Sequence, residues 1–449
     1  MARLPVRVEN RASSGGPMTS VLSRFFNVRR GEAGSIVAAT LYFFCILTAL
    51  QILRPTRDAL GMQRGIDEIR WLFLVTLVAT LAVNPLFSLL VSRYRRLVFI
   101  GLTHAFFALC LLIFFGLLTV APEVVGEGTG QVFYVWMSVF NYFITMVFWA
   151  FMADRFSMEQ SKRLFGLIAV GGTAGAIAGS SLASLLAEAL GVPTLLVIAA
   201  VFLGLASIGA WTVARLQPEV APVDAADGDA APPVKETAPI GGSAWDGFRS
   251  VVRSPYLLGI AMYVLILAVM VTFIYFTRLK MVAELGTDVD MRAGVFAKID
   301  LATQVATFLL QLLVAGRLMK RLGVHVTLAL LPITVGLGFI GLAMVGSLVA
   351  LVALDATFRA VQRAIMRPAR ETLFTVVPRE DKYKAKALID TFGYRAGDAV
   401  GAMSEGLLGK LGMGLVALAF AAVPIAAVWA VLGIWLGLSQ QRLAKKHIP

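Results

Sequence analysis

Val349–Met366, VALVALDATFRAVQRAIM, and Leu388–Leu408, LIDTFGYRAGDAVGAMSEGLL, are two predominantly apolar segments joined by a basic loop. Charge interrupts both: Asp355, Arg359 and Arg363 in the first, Asp390, Arg395, Asp398 and Glu405 in the second. A charge well inside a bilayer-spanning helix is costly, so it faces a partner or a water-filled cavity. Asp355, Arg359 and Arg363 recur at a spacing of four and share one helix face. That face is read as lining a polar path through a membrane. The competing reading is a self-neutralising ladder of ion pairs that only fixes helix packing.

The rest of the chain demands a membrane. Of 449 residues, 58% are hydrophobic and 15% charged, with a mean hydropathy of +0.81. A soluble protein of this length could not hide so much apolar surface, so a polytopic membrane protein is expected. The net charge of +13 would point to nucleic acid in a soluble chain. Here the basic residues sit mostly in short loops between spans, where they meet anionic lipid, and no nucleic-acid partner is expected. Two cysteines, Cys45 and Cys110, lie in apolar segments, which argues against a disulfide framework or a Cys-based metal site. His104, His325 and His447 are scattered, and His104 reads as a packed or snorkelling residue. The first twenty residues are polar and lack the apolar core of a cleavable signal.

About twelve runs are long enough to span, each roughly 18–24 residues. They lie near Ser35–Leu53, Trp71–Val91, Leu97–Val120, Gln131–Ala153, Leu164–Leu190 and Val192–Val213. In the second half they lie near Tyr256–Thr277, Ala293–Ala315, His325–Gly346, Val349–Met366, Leu388–Leu408 and Met413–Leu438. If the spans alternate, the basic clusters around Arg29, Arg95, Arg163, Arg317, Arg370, Lys384 and Lys445 fall on one side. That side is expected to be cytoplasmic, with both termini inside and the chain in the cell (inner) membrane. Composition shifts to Ala, Pro, Asp and Gly after Arg215, as in a flexible linker, and Trp245–Val252 reads as a short interfacial helix. The expected organisation is a tail (1–34), a six-helix bundle (35–214), a cytoplasmic linker (215–247), a second six-helix bundle (248–439) and a tail (440–449).

The halves repeat. Gly171, Gly175 and Gly179 recur as Gly393, Gly397 and Gly401, a shift of 222 (393 − 171) that also pairs Lys162 with Lys384. Small residues four apart let helices approach closely, and no Lys follows them as in a phosphate-binding loop. Two repeated six-span halves around a cytoplasmic linker resemble the major facilitator architecture. That resemblance implies alternating access by rocking of one half against the other. Val91-Ser92-Arg93-Tyr94-Arg95-Arg96 resembles the basic hairpin such proteins carry after the second span, with Ser92 in place of its acid.

Leu53-Arg54-Pro55-Thr56-Arg57-Asp58 resembles the Leu-Arg-Asp-Thr-Lys-Asp segment of the ATP/ADP translocase family of plastids and intracellular parasitic bacteria. Lys162-Arg163-Leu164-Phe165, Pro368-Ala369-Arg370-Glu371 and Lys384-Ala385-Lys386-Ala387-Leu388-Ile389-Asp390 are similar to further blocks of that family. The resemblance implies exchange of nucleotides or related anions, with basic residues near the first and eleventh spans taking part. Pro55 departs from the usual Asp, and Arg57 and Arg370 from the usual Lys. Asp154 and Asp398 add acids that argue against a highly charged nucleotide.

Arg54, Arg57, Arg64 and Arg70, then Arg278, Lys280, Arg292 and Lys298, follow the first and seventh spans. They are read either as an outer mouth that concentrates anions or as charges neutralised by Asp58, Asp67, Glu284 and their neighbours. Asp300, followed by Gln304 and Gln311, joins Asp355 and Asp398 as acids read either as proton carriers or as salt-bridge locks.

The sequence is thus read as an all-α membrane protein and secondary transporter of an organic, anionic small molecule. Arg57, Arg359, Arg363 and Arg395 are expected to bind substrate, and Asp300, Asp355 and Asp398 to couple or gate. No cofactor or metal is expected, and a monomer is. Alternatives are a proton-coupled carrier of another small molecule and a non-transporting scaffold or sensor. A membrane-embedded enzyme is disfavoured, since no nucleophile elbow, metal-ligand cluster or Cys/His pair is present.

Overall fold

The structure, a computed structural model, describes residues 29, 32–120, 122–218, 244–378, 385–386 and 388–446. Every regular element among them is helical. The N-terminal half holds α1 (Ala33–Gly61), α2 (Ile66–Arg93), α3 (Arg96–Val120), α4 (Pro122–Arg155) and α5 (Met158–Leu216). The C-terminal half holds α6 (Ala244–Arg253), α7 (Pro255–Ala283), α8 (Val289–Val345), α9 (Leu348–Val361), α10 (Arg367–Leu373), α11 (Tyr394–Lys410) and α12 (Leu415–Lys446). Five-residue π-helical turns, Gln362–Met366 and Ile389–Gly393, lead out of α9 and into α11.

α5 and α8 are each two spans in one. Gly191 (φ 78°) and Gly323 (φ 69°) break them, in a backbone region that side chains with a Cβ avoid. By length and composition, eight described segments suffice to cross a membrane, among them Arg163–Leu216, which is long enough to cross twice. α2, which holds the uncharged run Trp71–Val91, and the charge-bearing π-turned helices around α9 and α11 complete the twelve crossings. On α3, Leu102, Phe106, Leu109 and Ile113 form an exposed apolar stripe at helical spacing, as a lipid-facing surface requires.

The repeat is visible in the helix bounds. α1 and α7 begin at Ala33 and Pro255 and end at Gly61 and Ala283, offset by the same 222 (255 − 33) as the glycines. Gly171, Gly175 and Gly179 press α5 onto α1, where an added Cβ would stand 2.4, 2.3 and 2.4 Å from the carbonyl oxygens of Thr40, Phe44 and Thr48. In the second half Gly397 lies as close to α7, 2.7 Å from the Leu265 carbonyl oxygen by the same measure. The glycines therefore serve packing, as their spacing predicts.

Two helix ends differ from the sequence reading. The first helix runs eight residues past Leu53 to Gly61, and α7 runs past Thr277 to Ala283. Arg54, Arg57, Asp58 and Arg278 are therefore inside helices, not in an outer loop. Charges ended the apolar runs in sequence, whereas in the fold those charges find partners across the molecule. The linker at 219–243, the first 28 residues and Lys384 lie outside the described residues.

One apolar cluster fills the N-terminal half, and a second fills the C-terminal half. The first also takes in Phe276, Leu279, Val282, Ala293, Phe296 and Ala297 from the last turns of α7 and the first turns of α8. The halves are thus sealed by apolar packing at the end away from Ala33 and Lys446, called here the distal end. The other is the terminal end.

Candidate functional site

Between the halves lies a cavity of about 320 Å³. α1, α2 and α4 contribute Arg54, Arg57, Phe73, Thr76, Tyr134 and Ser138. α7 contributes Thr272, Tyr275 and Arg278; α9 and its π-turn contribute Asp355, Phe358, Arg359 and Arg363; α11 contributes Tyr394, Arg395 and Asp398. Six of the lining residues are arginines and two are aspartates.

The distal wall is a buried ion-pair network. The Arg57 guanidinium donates to Asp58 Oδ1 from Nε (2.9 Å) and Nη2 (2.6 Å), and lies 4.8 Å from the centre of the Tyr134 ring. Tyr275 donates to the same oxygen at 3.0 Å, and its hydroxyl meets that of Tyr134 at 3.1 Å. Arg278 reaches across the halves to Asp58 Oδ2 and holds Asp300 Oδ1 at 2.6 Å. Asp58, Arg278 and Asp300 are buried, with side chains 0%, 2% and 1% exposed. Pro55 lies inside α1 one residue past Arg54 and, having no N–H, leaves the Gln51 carbonyl without its helical donor.

The opposite wall is sparsely paired. Arg359 gives Nε to Asp355 Oδ1 (2.8 Å) and Arg363 gives Nη1 to Gln304 (3.2 Å). Arg395 stands 3.5 Å from Asp398, whose other oxygen is 3.5 Å from the Thr272 hydroxyl. Arg54 approaches Asp300 only at 3.7 Å. Among the described residues these four arginines keep most of their donors unbonded, facing the cavity. Asp355 Oδ2 and the Thr76 hydroxyl likewise find no hydrogen-bond partner among the described residues.

The distal seam carries further contacts between halves. Arg70 binds Glu405 at 2.8 Å while also pairing with Asp67, and Lys280 pairs with the same Glu405. Lys298 meets Glu188 at 2.8 Å, and Asp290 accepts from the Val192 backbone N–H at 2.7 Å, capping a helix of the other half. At the terminal end, described ion pairs join elements within one half: Arg163–Glu32 (3.0 Å), Arg96–Asp154 (2.8 Å), Arg370–Asp390 (3.1 Å) and Lys386–Glu371. Burial alone would raise the Glu32 carboxyl, but hydrogen bonds from Arg163, the Arg29 N–H and Gln160 outweigh it and hold it below the usual 4.5. The cavity is therefore shut distally and separated by less from the terminal side, an inward-type conformation if that side is cytoplasmic.

The structure brings Arg57, Arg359, Arg363, Arg395, Asp355 and Asp398 to one cavity, with Asp300 just behind its wall. Two charges first grouped with them go elsewhere: Asp390 pairs with Arg370, and Glu405 closes the distal seam. Of the charges expected at an outer mouth, Arg70, Lys280 and Lys298 are ion-paired and Arg292 donates to the Gly286 carbonyl. Sequence reasoning missed Asp58 and Arg278 as the centre of the network, and the Tyr134–Tyr275 bridge. Among the described residues no three His, Cys, Asp or Glu side chains cluster as metal ligands would.

No curated protein sequence matches the chain. Solved structures do. The nucleoside transporter NupG, in a mutant form, matches with a TM-score of 0.64 at 13% identity, over 91% of this chain and 99% of that one. A bacterial homologue of the iron transporter ferroportin, inward-facing, gives 0.63 at 13% identity over 91% and 98%. A bacterial homologue of the human lysosomal transporter Spinster, inward-facing and unoccupied, gives 0.58 at 14% over 93% and 98%. At such identities the likeness is one of fold. The family model described as Major Facilitator Superfamily matches residues 34–361, most of the chain. By that match, with twelve crossings in two repeated halves around a charged cavity, the chain belongs to the Major Facilitator Superfamily.

Proposed function

We propose that this transporter carries an organic anion by alternating access, with the bundles 35–214 and 248–439 rocking around the central cavity. Its family makes it a multi-pass membrane transporter of a small molecule rather than an enzyme. The observation that carries the anion reading is the set of four arginines with open donors, one from α1 and three from the C-terminal half, around one cavity. Arg359, Arg363 and Arg395 contact the anion from one half while Arg54 reaches it from the other. Arg57, whose Nε and Nη2 are given to Asp58, holds the distal wall instead.

The same charges favour exchange. Closing the cavity without an anion would seal arginines away from water with too few carboxylates, and uncompensated buried charge is strongly unfavourable. Return of the empty carrier is then slow, and one anion leaves as another enters. The likeness of the Arg54–Asp58 segment to ATP/ADP translocases supports an exchanged phosphate-bearing or related anion. Loop charge supports an inner-membrane protein with both termini cytoplasmic, and a cavity formed wholly by one chain supports a monomer.

Uptake by the purified protein in liposomes tests this. Labelled organic anions should enter only against internal anion, without a pH gradient. A second reading, anion–proton symport, draws on Asp398, a cavity carboxylate with partners only at 3.5 Å. Uptake that strictly needs a pH gradient, and loses that need in Asp398→Asn, would select it. Uptake of a neutral solute, unaffected by Arg359→Gln and Arg395→Gln, would remove the anion reading.

A further inference from the structure

The cavity constrains more than the sign of its ligand. At about 320 Å³ it lies at the small end of ligand sites, which run to roughly 1,000 Å³. Such sites orient ligands with a few polar groups set among apolar and aromatic side chains. Here the open guanidinium donors gather on the C-terminal half, where Phe358 and Tyr394 line the same space. The N-terminal half offers Phe73 and, one helical turn on, Thr76, whose side chain is 3% exposed and whose hydroxyl has no hydrogen-bond partner among the described residues.

Resting on the anion-carrier reading, we infer that the solute is a compact flat ring with an anionic group at one end and a hydrogen-bonding substituent at the other. The anionic group sits on Arg359, Arg363 and Arg395. The ring lies among Phe358, Tyr394 and Phe73, and the distant substituent meets Thr76. Asp355 and Asp398 in the lining, with Asp58 and Asp300 behind it, offset four of the six arginines and leave two positive charges (6 − 4), which argues against a polyphosphate. The donors left open on the four arginines face Asp355 and Asp398 in the same lining, leaving room for one or two negative charges. A nucleoside triphosphate brings more charge and more bulk than this cavity takes.

Ligand-induced shifts in unfolding midpoint and counterflow in liposomes read this directly on the full chain. The probes are 4-hydroxybenzoate, benzoate, cyclohexanecarboxylate, phenyl phosphate, inorganic phosphate and ATP. Aromatic contacts predict that benzoate and phenyl phosphate bind up to about tenfold tighter than cyclohexanecarboxylate and inorganic phosphate. 4-Hydroxybenzoate should bind several-fold tighter than benzoate, and Thr76→Val should remove that difference alone. Tyr394→Leu should remove the preference for a flat ring while retaining anion binding. Arg395→Gln should weaken every anion alike. Equal binding of the flat and puckered rings, or ATP binding tightest, overturns this inference and leaves the anion carrier standing. If no anion shifts the midpoint while benzyl alcohol does, the anion carrier itself falls.

Discussion

Two walls of one cavity are built from the same residue type to opposite ends. On the distal wall Arg57 and Arg278 give donors to buried carboxylates at hydrogen-bond distance, and the Arg278–Asp58 pair bridges the halves. On the facing wall Arg359, Arg363 and Arg395 hold one partner each, one of them an amide and one at 3.5 Å. On the proposed reading, an arginine whose fork is filled belongs to the scaffold, and one whose fork is open is left to take an acceptor. Composition alone would count all of them as substrate ligands.

The comparison can be broken at its strongest point. Arg278→Ala would leave Asp58 and Asp300 buried with less compensation, which costs about 3–5 kcal/mol. The purified variant should melt far below the parent or fail to accumulate. A parent-like midpoint would mean the distal wall is not a lock. Arg395→Gln asks the converse question. Hydrogen bonds to charged groups contribute about 1.5–3 kcal/mol, so anion uptake should fall roughly 10- to 100-fold. Its unfolding midpoint should stay near the parent, because Arg395 has little to lose. A large fall in stability with intact uptake would reverse the two roles.

Glu405→Gln sharpens the picture at the seam. It weakens the hold on Arg70 and Lys280 together, so the distal side should open more often. A cysteine introduced at Leu411, exposed at that end, should react no differently, whereas one at Ala402, buried at the seam, should be alkylated several-fold faster in the variant. Unchanged labelling of Ala402→Cys would remove Glu405 from the closure. The smallest effect belongs to Glu32 at the terminal end. Its lowered pKa means its ion pair with Arg163 stabilises the fold above the unfolded value of 4.5, and that contribution fades as pH falls below it. Glu32→Gln should flatten the fall in unfolding midpoint as pH drops from 4.5 through the lowered pKa, and leave the curve above 4.5 parallel to the parent. A curve parallel below that value too would discount the pair.

The repeat and the polar face of α9 were legible in the sequence because both are local in period: glycines four apart, charges four apart. The ends of α1 and α7 were not, because Arg54–Asp58 and Arg278 look like loop residues until a partner over two hundred positions away neutralises them. The difference between filled and open arginines was equally hidden. Arg57 and Arg395 are the same letter in similar apolar settings, and only Asp58, one residue along and turned into the seam, separates their roles.

The distal seam has one more property. Asp58 is shared between Arg57 on its own helix and Arg278 from the other half, and Arg278 in turn keeps Asp300 within its half. Glu405 repeats the scheme: it shares Arg70, which keeps Asp67, while retaining Lys280. Pulling the bundles apart therefore divides each cluster into self-contained neutral couples, with no orphaned ion on either face. Attraction across the boundary can be firm while parting stays inexpensive, which is what a reversible carrier needs from the side it must reopen in every cycle.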